Sequence, residues 1–153
     1  MTNPRILIDA DACPRQALRI AQSLGEELDW PCITFASYNH QLQGPRHIVV
    51  DSGPQAVDVR LANEARAGDI VVTQDIGLAA LVLGKSARAL TPQGRVFDPD
   101  QIAFCLEERN EKARFRRGGG RIKGPAPRTA RDDQRFEAAL RALMKGGEER
   151  DVR

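Results

Sequence analysis

A chain of 153 residues, 41% hydrophobic and 29% charged, is long and apolar enough for one compact core, which excludes a disordered protein. Its three cysteines, Cys13, Cys32 and Cys105, are odd in number and form no CxxC pair, so a disulfide miniprotein is excluded and a reducing, cytoplasmic setting is expected. Net charge is only +2, yet residues 109–131 hold nine Lys or Arg against one acid, Glu111, which joins a +8 arm to a −6 body.

In chain order, Ile/Val-rich bursts recur at RILID, CITFAS (32–37), HIVVDS (47–52) and DIVVTQD (69–75), with helical patterns between most of them. That alternation predicts a parallel sheet covered by helices on both faces. The first helix opens after Pro14, and Ala17, Leu18, Ala21, Leu24 and Leu28 trace its inner stripe. A second helix spans about 55–67, with Val57, Leu61, Ala62 and Ala65 inward and Gly68-Asp69 ending it. A third, Ile76 to Leu83, is apolar nearly all round; this longest apolar stretch is far too short to span a bilayer, and no hydrophobic signal region precedes Asp9, so no membrane association is expected.

A weaker fifth strand is expected at Ala87 to Leu90, closed by the turn signal Thr91-Pro92-Gln93-Gly94. Pro99 to Lys112 reads as a helix with Ile102, Cys105 and Leu106 on one side. Residues 116–127, RRGGGRIKGPAP, carry too much Gly and Pro for regular structure. A last helix, Thr129 to Lys145, sets Phe136, Ala139, Leu140, Leu143 and Met144 on one face, which must dock to be buried. The expected division is an α/β domain over 1–112, a basic Gly/Pro-rich loop over 113–128, and over 129–153 an amphipathic helix docking on the same domain with a polar tail.

The chemistry concentrates in ILIDADACP, where two acids and a thiol follow an apolar strand directly. A buried carboxylate without a partner is costly, so these acids need a cap, a cation or a metal. In open parallel α/β sheets ligands bind outside the carboxyl ends of the strands, where the winding reverses. Asp9 follows the first strand and Asp75 ends DIVVTQD; Asp11 lies two residues past Asp9, and Asp58 lies one turn into the second helix. Acids crowded at one mouth repel one another, and a divalent Mg²⁺ or Mn²⁺ that prefers carboxylate oxygens resolves the repulsion.

Each acid also has a plainer reading. Asp11 suits an N-cap for the helix near Pro14, Asp75 a cap for the helix at Ile76, and Asp58 a solvent-side acid or helix-dipole partner. Asp9 is too early for a cap and has no basic neighbour in its strand after Arg5. Thr73 is placed to orient a metal-bound water or is simply a β-branched strand residue. Cys13 sits at a helix N-terminus, but adjacent acids oppose a lowered thiol pKa and neither His40 nor His47 is placed by sequence as its base, so packing is its expected role. Asn39 and His40, in a polar loop on the same expected edge, are candidate substrate contacts, against an ordinary turn. Arg114, Arg116, Arg117, Arg121 and Lys123 are the candidate nucleic-acid-binding residues, since flexible basic loops supply sequence-independent phosphate contacts.

Three blocks, IDADACP (Ile8 to Pro14), DIVVTQDIGLA (Asp69 to Ala79) and Lys123-Gly124-Pro125 with the final helix, resemble the YaiI/YqxD family of bacterial proteins, functionally uncharacterised and grouped with PIN-like nuclease domains. The resemblance covers nearly the whole chain. It implies a PIN-like three-layer α/β/α sandwich with a mainly parallel four- or five-stranded sheet and an acid cluster holding Mg²⁺ or Mn²⁺ for phosphodiester hydrolysis, of RNA in preference to DNA. By position, the strand-one acid is Asp9, the T-x-D acid is Asp75 with Thr73, the intervening helical acid is Asp58, and Asp11 is an extra acid. PIN domains commonly show a glutamate at the middle position, which makes Glu64 a substitute candidate for Asp58.

Two alternatives stand beside a metal-dependent nuclease. One is a non-catalytic nucleic-acid-binding or regulatory module keeping a structural ion. The other is a haloacid-dehalogenase-like phosphatase, because Asp9-x-Asp11 after a first strand also opens that superfamily; it expects a Gly-Asp pair after an apolar strand, whereas Gly68-Asp69 precedes IVVT here.

Overall fold

A computed structural model describes residues 3–37, 47–50, 56–102, 107 and 127–151. In chain order its elements are β1 (Ile6–Asp9), a 3-10 turn (Ala10–Ala12), α1 (Arg15–Leu28), β2 (Cys32–Ala36), β3 (His47–Val49), α2 (Ala56–Glu64), β4 (Ile70–Val72), α3 (Ile76–Leu83), β5 (Arg88–Leu90) and α4 (Ala130–Asp151). The five strands form one sheet in the order β3-β2-β1-β4-β5, every pair parallel. This is the expected α/β/α sandwich.

Because successive strand residues point to opposite faces, the apolar runs fill two separate cores. Ile6, Ile8, Ile70, Val72 and Leu90 meet α1 through Ala17, Leu18, Ala21 and Leu24, and α4 through Phe136, Leu140 and Met144. Leu7, Ile33, Phe35, Val71 and Ala89 on the other face meet Val57 and Leu61 of α2 and Leu78, Ala79 and Val82 of α3. A strand buried on both faces reads as a continuous apolar run rather than an alternation, and β1, β2 and β4 are buried at every position.

Several boundaries are tighter than expected. The third strand stops at Val49 and the fourth at Val72, where Thr73 and Asp75 turn their side chains to the strand end and the cap of α3. Over the described residues α2 ends at Glu64, which reaches back to Arg5. The last helix instead runs past Gly146 and Gly147 to Asp151; a helical glycine costs about 1 kcal/mol against alanine, too little to stop a helix already docked along its length.

Helix α4 also presses on the loop after β5. Gly94 has φ +91°, and a Cβ there would lie 2.7 Å from the Arg135 carbonyl carbon and oxygen and 2.9 Å from Phe136 N. Only glycine tolerates both the left-handed backbone and that approach.

No helix among the described residues is long and apolar enough to cross a membrane. Of the expected helix 99–112, Pro99 to Gln101 form a turn instead, Ile102 and Glu107 are helical, and the other positions, Cys105 included, fall outside the described residues, as does most of the basic loop.

Candidate functional site

The sheet order puts β1 at its centre, with the chain winding outward through β2 and β3 on one side and through β4 and β5 on the other. The reversal lies between β1 and β4, and the crevice outside their carboxyl ends is the expected ligand position. Ile8 pairs with Val72, so Asp9 and Thr73 stand level, one residue further on.

Asp9 is buried, with 6% exposure. Thr73, 1% exposed, donates its hydroxyl to Asp9 Oδ2 at 3.0 Å and accepts the backbone N–H of Asp75 at 3.0 Å. Asp75 N-caps α3: its Oδ1 accepts from Leu78 N at 3.2 Å. The cap and the site are therefore the same residue, and the cap fixes where that carboxylate stands. Burial pushes the Asp9 carboxyl pKa up, the Thr73 hydroxyl opposes the rise, and the nearby charges of Asp11 and Asp75 add to it.

Asp11 does not cap α1, whose N-cap is Pro14 and receives no side-chain bond. Its carboxylate instead accepts the backbone N–H of Ser37, at 3.0 and 3.2 Å to its two oxygens, where the chain leaves β2. An acid held there ties the 3-10 turn to the neighbouring strand and remains exposed.

Asp58 stands in the first turn of α2, half-buried. Glu64 is no substitute for it: Glu64 lies at the far end of α2, with Oε1 3.5 Å from Arg5 Nη1 at the amino edge of the sheet. Cys13 packs partly buried against the α1 core, and burial pushes its thiol up to about 12, which removes it as a nucleophile at neutral pH. Among the described residues no group of three or more His, Cys, Asp or Glu side chains is placed to hold a metal ion. Asn39, His40, Arg114, Arg116, Arg117, Arg121 and Lys123 lie outside the described residues.

Two arrangements escaped the sequence reading. At the amino edge, fully buried Asp69 receives Arg5 N (3.0 Å), Arg5 Nη2 (2.8 Å) and Arg66 N (3.0 Å), so it is a structural anchor and no part of the Asp9 site. At the carboxyl edge, Arg128 reaches Pro92 O at 2.7 Å, beyond the end of β5, and pairs with Asp133 at 2.7 Å; its positive charge acts on the Cys13 thiol. Neither leaves a local sequence signal, since the partners are 64 and 36 residues apart.

The profile described as "Uncharacterized BCR, YaiI/YqxD family" matches residues 7–146. The chain is similar to the UPF0178 protein of Heliobacterium modesticaldum, 51% identical over 141 residues that cover 92% of this chain and 97% of that one. It is similar also to the UPF0178 proteins of Clostridium kluyveri, 42% over 145 residues and 94% of each chain, and of Exiguobacterium sibiricum, 42% over 140 residues, 92% of this chain and 96% of that one. No solved structure matches.

Proposed function

For a chain that belongs to the uncharacterised YaiI/YqxD family, we propose hydrolysis of phosphodiester bonds, of RNA before DNA, at the Asp9 site. The observation that carries the reading is the state of Asp9: buried at the switch point, oriented by Thr73, with both neighbouring charges that act on it besides that hydroxyl being negative. Such a carboxylate is held in a costly state that a cation or a transferred proton relieves. The preference for RNA and the reaction class rest on the analogy with PIN-like domains.

The donor set fits a divalent cation completed by the substrate. Mg²⁺ is ordinarily held by one or two carboxylates with waters and substrate phosphate oxygens, rather than by an all-protein cage, and Asp9 with Asp75 or Asp11 offers that number. Bound there, Mg²⁺ or Mn²⁺ would lower the pKa of a water and stabilise charge on the transferring phosphate. The protein's own part is positional. Thr73 fixes the Asp9 carboxylate, Leu78 N fixes Asp75, and Ser37 N fixes Asp11. Arg114, Arg116, Arg117, Arg121 and Lys123 would hold the strand by its phosphates, and Asn39 and His40 would contact it from the β2 side. Asp58 would join from the first turn of α2.

The experiment is titration of Mg²⁺ and Mn²⁺ into metal-stripped wild type, Asp9→Asn and Asp75→Asn, alongside cleavage of labelled RNA and DNA. Saturable binding and cleavage lost in both variants uphold the reading. The alternative is a non-catalytic nucleic-acid-binding or regulatory module that keeps a structural ion. RNA binding with no cleavage under either ion establishes that alternative.

A further inference from the structure

We propose that Arg128 anchors a substrate phosphate at the carboxyl edge of the sheet, across the switch point from Asp9. The inference rests on the phosphodiester reading above for its substrate, and on four observations for its place.

Three hydrogen bonds, joined by the backbone at Thr73 and from Leu90 to Pro92, run along that edge. Thr73 Oγ1 donates to Asp9 Oδ2 at 3.0 Å, Thr73 N donates to Leu90 O at 3.1 Å, and two residues beyond Leu90 the Pro92 carbonyl accepts from Arg128 Nη1 at 2.7 Å. The line passes from β1 across β4 to the end of β5, two strand spacings or about 10 Å. Arg128 therefore stands on the same edge as the acids and not on the amino edge, where Arg5 is consumed by Asp69.

Next, the guanidinium is held rather than free. Its Nε lies 2.7 Å from Asp133 Oδ1 in the first turn of α4, so Asp133 and Pro92 fix the plane of the fork. Thr129 caps the same turn, with Thr129 N donating to Asp132 Oδ2 at 2.9 Å, and Gly94 admits the α4 backbone against the loop that carries Pro92. A guanidinium immobilised in this way loses little further freedom on meeting a phosphate oxygen.

Third, one arm of the fork is unused. Arg128 Nη2 is buried and has no hydrogen-bond partner, while the side chain as a whole keeps 17% exposure. Buried donors on a charged group are ordinarily satisfied, and an orphan one calls for a missing acceptor. A phosphate oxygen matches Arg geometry and charge. Last, the site opposite is acidic and repels a phosphate on its own, so a cation near it is the complement a phosphodiester requires. Arg128 is a described cation at that edge with a buried donor to spare.

The test is equilibrium binding of a short fluorescein-labelled single-stranded RNA, and calorimetric titration of inorganic phosphate, to wild type, Arg128→Gln and Arg128→Lys, with and without Mg²⁺, each variant checked by thermal melting. Folded Arg128→Gln is expected to bind both ligands at least about tenfold more weakly, and Arg128→Lys to recover only part of the loss, because lysine keeps the charge but not the fork. Unchanged affinity of either folded variant for both ligands overturns the proposal and leaves the Asp9 reading standing. If wild type binds phosphate in an Arg128-dependent way but neither binds nor cleaves RNA, the anchor is upheld and the nucleic-acid reading falls. Binding of neither ligand under either condition overturns both. Should Arg128→Gln melt too low to assay, the loss in Arg128→Lys decides the matter alone.

Discussion

Thr73 Oγ1 lies 3.0 Å from Asp9 Oδ2, a bond between the ends of two neighbouring strands whose residues are 64 apart in sequence. Both partners are buried, and the same hydroxyl oxygen accepts the N–H of Asp75. One hydroxyl therefore sets the position of two carboxylates.

Removing it should show in stability as well as chemistry. Thr73→Val leaves a buried carboxylate oxygen and the Asp75 N–H without this partner, and the expected loss is about 1–3 kcal/mol. Thr73→Ser should recover most of it. Urea denaturation of the three proteins at one pH checks the order, and equal midpoints for valine and serine would deny the hydroxyl its role.

The Asp9 carboxyl has a folded-state pKa above its ordinary 3.8. Between that value and the raised one the native state binds more protons than the unfolded chain, so stability falls as pH rises through this window and the deficit persists above it. Asp9→Asn should therefore melt higher than wild type at pH 7, with the advantage fading as the pH falls through the raised value and gone below 3.8. Mg²⁺ should raise the wild-type melting temperature at pH 7 and leave that of Asp9→Asn in place. Calorimetry across pH reads both effects.

At the opposite edge, Asp69 lies apart from the Asp9 site and ties Arg5 and Arg66 into the fold. Asp69→Asn strips the charge that Arg5 is buried against, and breaking one side of such a pair costs about 3–5 kcal/mol. The expected phenotype is a lower denaturant midpoint with turnover per folded molecule unchanged. A loss of turnover in fully folded variant would tie the two edges together.

Cys13 should behave as a packed thiol. With its pKa pushed up to about 12 by burial, alkylation by iodoacetamide at pH 8 should be slow in the native protein and rapid after unfolding, as followed by peptide mass spectrometry at that residue. Cys13→Ala should leave phosphodiester cleavage unaltered. Rapid native labelling would restore the nucleophile reading.

What the sequence disclosed was whatever a local pattern encodes. Continuous apolar runs at Ile6, Ile33 and Val71 announced doubly covered strands, and the stripe Phe136, Leu140, Met144 announced a docked helix, because burial on a face imposes a period. Asp9 and Asp75 stood out because each ends such a run. The rest depended on distant partners. Asp11 was a candidate site acid with a helix cap as its plainer reading, and its carboxylate is bound by Ser37 N, 26 residues on, rather than capping α1; Glu64 was only a substitute for Asp58, and α2 carries it to Arg5 at the far edge. Arg5 stood only as the base of the first strand and Asp69 as the end of the second helix, and only the β1–β4 pairing makes them one ion pair. A helix or strand propensity has no access to such pairs, since the fold itself chooses them.

The central position of β1 has a consequence for how the chain is made. Synthesis delivers β1 early, yet its partner β4 follows more than sixty residues later and α4, which shares with α1 the cover over Ile6, Ile8, Val72 and Leu90, comes after every strand. During translation one apolar face of a nearly finished sheet thus waits only partly covered, by α1, for the rest of its lid, in the sort of intermediate that aggregates or engages chaperones. A nascent chain halted before Ala130 should be the sticky form of this protein, and the emergence of α4 the event that makes it safe to release.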